Sequence, residues 1–360
     1  MFESLILEKV RQGEVFLPPL AFRVEPDGAQ IHQDADAIVS AEWGGESVRF
    51  ALECKSTSTP KAVQTAIEDV KKWKLPARIY PLVMTPFLNE ERLKHLESEG
   101  VSGVDLCGNG VICIDGVLRI FRTGKENLYP SRATTIRNPY HNNSSMVPRV
   151  FLSQASFGSV QGVQEQVNQR NLLVRSGRCG PISLSAISKA LKVLEEDLLI
   201  GRTGDIRTLQ PDALLEKLAR NYEPPVVQNR IRLRLPDAGP ELHARIDELA
   251  RELSLPYQAT GAASVRRYAT AASDVLAIYC PRIGELAKAL NGREADRFPT
   301  LELIETQEEP VYFDARHVDG FWWSSPVQTY LELQSGDKAA RETASAVRVH
   351  ILGVLGMWIK

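Results

Sequence analysis

Three ionisable residues, Asp36, Glu53 and Lys55, lie at the ends of two short apolar runs, "DAIVSAEW" (36–43) and "VRFALECK" (48–55). Two carboxylates and an ammonium gathered in one place suit hydrolysis of a phosphodiester. The carboxylates hold a hard divalent cation, Mg²⁺ or Mn²⁺, that keeps several of its own waters. The cation polarises the phosphate and lowers the pKa of a bound water, while the lysine orients that water or offsets charge growing at phosphorus. Glu8, on a first helix, is a candidate further metal ligand, and Gln64, on the helix after Lys55, a candidate for the same catalytic edge. The plainer alternative is a cross-strand ion pair on a solvated face, contributing about 0–1 kcal/mol.

The elements around these residues decide between the two. The runs 36–43 and 48–55 read as strands joined by "GGES", a glycine-rich hairpin loop of four residues. Pairing Trp43 with Val48 sets Asp36 across from Lys55, with Glu53 one diagonal step away. Opposed residues, and residues two apart on a strand, share a face. Asp36, Glu53 and Lys55 then converge within roughly 5–8 Å, and Leu52 and Cys54 point to the core. The convergence depends on register.

The first 130 residues read as α/β. A helix over about 2–12 precedes strands near 20–24, 36–43 and 48–55. "STPKAVQTAIEDVKKWK" opens a helix with Ser58 or Thr59 as cap and Pro60 in the first turn. "RIYPLVMT" is a strand, and "NEERLKHLESEG" a helix ending at Gly100. Alternation of strands and helices implies an at least partly parallel sheet. In "GVSGVDLCGNG", glycines surround Asp105 and Asn109; this is turn chemistry or, alternatively, a second polar group near the phosphate edge. The polar stretch 124–149 marks a linker, assigned to 131–149.

Residues 150–223 turn helical and end in a short hairpin signal, "IGRTGDIRTL", followed by another amphipathic helix. Helix, helix, hairpin is the order of a winged helix-turn-helix. Its recognition helix is "SLSAISKALKVLEED", with Ser183 or Ser185, Ser188, Lys189 and Lys192 on the polar side to meet base edges or phosphates. Arg202 and Arg207 sit on the hairpin, as a wing on the backbone requires, and Arg170, Arg175 and Arg178 add charge upstream. An ordinary solvated helix face is the competing explanation. In "RIRLRL", Arg230, Arg232 and Arg234 share one strand face; they either track phosphates or pair with Glu302 or Glu305 of "LELIE", the second being slightly favoured.

Residues 224–360 are α+β, without a catalytic constellation; Trp322 and Trp323 read as core or interface. No apolar run reaches membrane-spanning length, and the N-terminal stretch reads as an amphipathic helix rather than a signal peptide. Five scattered cysteines without a CxxC pair favour a reducing cytoplasm and argue against structural zinc. A formal charge of −2 means that any nucleic-acid function needs local basic patches.

"D-A-I-V … F-A-L-E-C-K", strand–turn–strand and then helix, resembles the PD-(D/E)XK nuclease fold of restriction endonucleases and Holliday-junction resolvases, with Ala35 where that motif's proline would stand. The resemblance implies Asp36 and Glu53 as metal ligands and Lys55 as the catalytic lysine. An idle nuclease fold that only holds DNA is a further possibility. Over most of its length, through the glycine-rich stretch, the winged helix and "SSPVQTYLELQSGDKAARETA", the chain is similar to type IV abortive-infection antitoxins (AbiEi-like). This implies operator binding and transcriptional regulation, and a nucleotidyltransferase-like C-terminal domain in which "TGAAS" echoes a Gly-Ser turn, although no paired D-x-D follows. Expected partners are double-stranded DNA, a cognate toxin and a second copy of the chain, with no membrane and a cytoplasmic location. Two functions follow: a metal-dependent DNA endonuclease guided by the winged helix, or a non-cleaving regulator or antitoxin. A protein-interaction module is the third.

Overall fold

The computed structural model describes residues 2–25, 34–43, 45–129, 138–171, 173, 181–236, 239–269 and 275–356. The chain divides into two compact units, Met1–Thr135 and Ile136–Lys360.

The first unit contains α1 (Phe2–Arg11), β1 (Phe16–Leu17), β2 (Leu20–Val24), β3 (Ala37–Trp43), β4 (Glu46–Cys54), α2 (Pro60–Val70), β5 (Ile79–Thr85), α3 (Glu90–Ser98), β6 (Ser102–Asp105), β7 (Gly110–Ile114) and β8 (Leu118–Arg122). All eight strands form one sheet in chain order. β2, β3 and β4 are an antiparallel meander; α2 then carries the chain across to β5, parallel to β4, and α3 to β6, parallel to β5.

Burial explains why these segments are strands. Alternate residues of β4 face opposite ways, and both sides are covered. Phe50, Leu52 and Cys54 pack with Ile6 and Val10 of α1, whereas Ala51 packs with Ile38 and Ile79 on the reverse. Val83 of β5 meets Val63, Ala66, Ile67 and Val70 of α2. α2 begins where the Thr59 hydroxyl accepts from the Ala62 N–H at 3.2 Å, with Pro60 at the first helical position. A cap of this kind stabilises the helix by about 1 kcal/mol.

The β3–β4 register differs from the sequence expectation by two residues. Trp43 pairs with Glu46, not Val48, and Ala37 pairs with Leu52. Only residues 44 and 45 lie between the paired strands, so Glu46 and Ser47 belong to β4 rather than to a four-residue loop. A two-residue hairpin needs positive φ, and Gly45 supplies it at +87°. An even slip leaves every side chain on its expected face.

The second unit opens with α4 (Met146–Phe151), β9 (Ser156–Phe157), α5 (Val160–Arg170), α6 (Leu184–Glu196), β10 (Ile200–Gly201), β11 (Ile206–Thr208) and α7 (Pro211–Arg220). β11 lies between β10 and β9 in a small antiparallel sheet. There follow β12 (Asn229–Arg234), α8 (Gly239–Glu252), β13 (Gln258–Ala259), α9 (Gly261–Ser264), β14 (Leu276–Cys280), α10 (Ile283–Leu290), β15 (Arg293–Glu294), β16 (Leu301–Glu305), α11 (Glu309–Tyr312), β17 (Arg316–Val318), β18 (Phe321–Trp323), α12 (Pro326–Gln334) and α13 (Lys338–Gly356). A five-stranded sheet has the order β13-β14-β16-β12-β15, with β14 and β16 parallel.

α12 and α13, which follow the boundary expected at 223/224, pack on the helices that precede it. Leu191 and Leu194 of α6 and Leu215 of α7 share one apolar cluster with Tyr330 and Leu331 of α12 and Val347 and Ile351 of α13. Buried Arg149 of α4 donates through Nη1 to the Pro310 carbonyl (2.7 Å) and to Gln328 Oε1 on α12 (2.8 Å). Arg348 of α13 holds Asp212 of α7, Nε to Oδ1, at 2.7 Å. The expected linker 131–149 is also partly structural. Residues 130–137 lie outside the described residues, but Tyr140, Met146 and Val147 are buried in this core.

A continuous core makes two outcomes testable. Ile351→Ala, though far from α6 in sequence, should destabilise the core that α6, α7, α12 and α13 share by about 2–4 kcal/mol, with circular dichroism reporting the shifted transition. Residues 150–223 expressed alone should give a poorly dispersed amide NMR spectrum; a well-dispersed, cooperatively melting fragment would contradict the shared core.

Candidate functional site

β3 and β4 bring the first group of predicted residues together at one end. The Asp36 N–H donates to the Leu52 carbonyl at 2.9 Å, and its Oδ2 accepts from the Cys54 N–H at 2.7 Å. The β3–β4 ladder ends at Ala37–Leu52, and because the Asp36 N–H also reaches the Leu52 carbonyl, Asp36 lies beside Leu52 rather than across from Lys55 as the sequence predicts. Lys55 follows the last residue of β4, and its N–H bonds to the Met84 carbonyl of β5 at 2.9 Å. Its Nζ lies 2.6 Å from Glu53 Oε1 and 3.4 Å from Asp69 Oδ2 on α2.

The charges in this group tune one another. Burial pushes the Glu53 carboxyl above the usual carboxylate range. The Lys55 hydrogen bond and charge pull it down, and nearby Asp36 and Asp69 push it up again. Burial acts to lower the Lys55 pKa, yet Glu53 and Asp69 outweigh it, so the ammonium is held above the ordinary lysine value.

Gln64 and Glu8 are engaged elsewhere. The Gln64 amide donates to Glu68 at 2.8 Å, and its oxygen lies 2.7 Å from His95 Nε2 on α3. Glu8 is exposed and accepts from Gln12 at 3.3 Å. The α1 acid that reaches this end of the sheet is Glu3, which accepts from the Ser56 N–H at 3.2 Å. Sequence reasoning missed both Glu3 and Asp69. Each is brought in by how a helix is placed on the sheet, which strand alternation does not encode.

A divalent cation is the group this site would need. Among the described residues, no cluster of three or more His, Cys, Asp and Glu side chains could hold a metal. The donor set that remains is Asp36 and Glu53. One or two carboxylates suffice to hold Mg²⁺ or Mn²⁺ while water fills the other positions, but Asp36 Oδ2 already accepts from the Cys54 N–H and Glu53 from Lys55.

Asp105 and Asn109 have a structural role. Asp105 is 1% exposed. Its Oδ2 accepts from the Leu88 N–H (2.8 Å) and the Asn109 side-chain amide (2.7 Å), and its Oδ1 from the N–H groups of Cys107 and Asn109 (both 2.8 Å). Asn109 then accepts from the Lys125 N–H at 2.8 Å. One carboxylate thus organises the glycine-rich turn and the segment that packs on it.

The second group lies on α6 and the β10–β11 hairpin. Ser183 caps α6, its hydroxyl accepting from the Ala186 N–H at 3.2 Å. Ile187, Ala190, Leu191 and Leu194 are buried, and Ser185, Ser188, Lys189 and Lys192 are exposed. Arg202 and Arg207 are exposed on the hairpin, with Arg202 3.7 Å from Glu195. Arg170 is committed to Asp314 at 2.7 Å; Arg175 and Arg178 lie outside the described residues. In the "TGAAS" stretch, the Gly261 N–H donates to Glu332 Oε2 at 2.7 Å, so that backbone donor is already occupied. Trp323 is buried core, with Trp322 packed against the same cluster.

Compared with protein-family models, curated proteins and solved structures, the chain finds no match in any of the three. No helix among the described residues is long and apolar enough to cross a membrane.

Two outcomes follow from these geometries. Lys55→Met removes the cation that lowers the Glu53 pKa, so carbon-detected NMR should show Glu53 titrating at higher pH than in wild type. An acid with a raised folded-state pKa makes folding less favourable as pH rises from its unfolded to its folded value. Denaturation across the mildly acidic range should therefore show the variant losing more stability with rising pH than wild type. Asp105→Ala strands four buried or part-buried donors and should cost upwards of about 3 kcal/mol, read as a shifted denaturant midpoint; a shift under about 1 kcal/mol would refute the hub role.

Proposed function

We propose that this protein binds double-stranded DNA through α6 and the β10–β11 hairpin, in the manner of a transcriptional regulator or antitoxin acting on an operator. One observation carries the proposal. Helix, strand, two helices and two strands follow in the order of a winged helix-turn-helix, and the helix in the recognition position leaves a polar, lysine-bearing face exposed. Such a helix enters the major groove. Lys189 and Lys192 neutralise phosphates, Ser185 and Ser188 offer short donors and acceptors to base edges or backbone, and Arg202 and Arg207 hold the adjacent backbone. With a net charge of −2, attraction to DNA has to come from such local patches.

Phosphodiester hydrolysis by the first unit is a second function, favoured by Asp36 at the end of the β3–β4 ladder, close enough to act on the Glu53 charge, and by the Glu53–Lys55 pair beside it. The β2–β3–β4 meander followed by α2 and parallel β5 has the element order expected of a PD-(D/E)XK nuclease core. Asp36 and Glu53 would hold Mg²⁺ or Mn²⁺, which when bound supplies Lewis acidity and a more acidic water. Lys55, now shared by Glu53 and Asp69, keeps positive charge at the site where negative charge develops on a phosphate.

Mobility-shift titration on the DNA flanking the protein's own coding sequence tests the first function. Lys189→Gln/Lys192→Gln should weaken binding about tenfold and reduce the salt slope by about 2; unchanged affinity rejects α6 as the reader. Supercoiled and linear DNA incubated with Mn²⁺ test the second. Cleavage should appear with wild type and vanish in Glu53→Ala and Lys55→Ala, with binding retained. DNA left intact by wild type with either metal removes the nuclease function and leaves the regulator.

A further inference from the structure

One face of the five-stranded sheet carries more positive charge than its own acids meet. β12 alternates, so Arg230, Arg232 and Arg234 project from the exposed side, while Leu233 is buried on the other. Arg293, on edge strand β15, pairs directly with Arg234 and therefore shares that side. One carboxylate serves the row. Glu302 of β16, paired with Arg232, lies 3.2 Å from Arg230 Nη1 and 3.3 Å from Arg232 Nε. Glu294 pairs with Leu233 and projects from the opposite face. Arg234 and Arg293 are exposed and have no carboxylate partner among the described residues. Like charges directly opposed on neighbouring strands are destabilising, and no acid among the described residues pairs with either arginine.

The row has the chemistry of a phosphate reader. Side chains on one strand face repeat about every 7 Å, and guanidinium forks take phosphate oxygens two at a time. Glu302 orients the Arg230–Arg232 end, and Arg234 and Arg293 hold the unspent charge. Evenly repeated cations suit an evenly charged chain. We propose that this arginine face binds a phosphodiester backbone as a second nucleic-acid surface, outside α6 and the hairpin. The inference rests on the DNA-binding function proposed above and extends it to the C-terminal sheet.

Fluorescence-polarisation titrations over a salt series test it, with a duplex oligonucleotide and its single strand as separate probes. The proteins are wild type, R234Q/R293Q and K189Q/K192Q. R234Q/R293Q should lower the slope of log affinity against log salt by about 2, one for each phosphate no longer neutralised. It should leave the thermal midpoint unchanged or raise it, because an opposed like-charge pair is removed. Weakening confined to the duplex, or to the single strand, identifies which form supplies the backbone, and either result supports the inference. Unchanged slope and affinity on both probes overturn it while leaving the α6 function to be judged by K189Q/K192Q. Weakened binding in R234Q/R293Q alone keeps the arginine face and rejects α6, and no binding by wild type to either probe rejects both. Should the double variant unfold, R293Q alone on the edge strand gives the same test with a slope change of about 1.

Discussion

The antiparallel pairing of β3 with β4 is the constraint on which the first unit depends. Pairing Trp43 with Glu46 leaves two residues for the turn, and each later pair follows without slack, up to the Asp36 N–H on the Leu52 carbonyl. The Asp36 carboxylate then takes the Cys54 N–H, closing the open end of the ladder. β4 also pairs in parallel with β5, which holds Glu53 against Val83 and takes the Lys55 N–H on the Met84 carbonyl. Fully burying Phe50 and Leu52 contributes roughly 1.5–3 kcal/mol each relative to exposure, and an odd-numbered slip would turn both to the opposite face, where small Ala51 now packs. The apolar core thereby fixes the place of the polar group.

Asp69 changes the character of that group. Glu53 and Lys55 alone would be neighbours along one strand edge with room to move. An acid from the end of α2 makes the ammonium a bridge between sheet and helix. Two negative partners keep Lys55 protonated despite partial burial, and its charge limits how far Glu53 is driven toward its neutral form.

What the sequence reveals follows the range of the interactions. Local rules locate β3, β4, α2 and α6: alternation, apolar spacing, and the Thr59 and Ser183 caps are all short-range signals. The nearness of Glu53 and Lys55 is legible because a strand's period is two. The hairpin's length is not, because "GGES" offers both a two-residue and a four-residue turn, and only strand pairing chooses. Glu3, Asp69 and the displacement of Gln64 toward His95 depend on where helices settle on the sheet. The merging of residues 150–223 with α12 and α13 is likewise invisible locally, since an amphipathic helix shows that one face is covered but not which distant helix covers it.

The common core of α6, α12 and α13 also bears on what damage to the chain would do. A reader on an autonomous module can outlive damage to the rest of its chain; one whose apolar side is completed by the last helix cannot. A nick in α13, or a truncated translation product ending before it, would uncover Leu191 and Leu194 together with their partners. α6 and the helices it packs with would then lose their cover together.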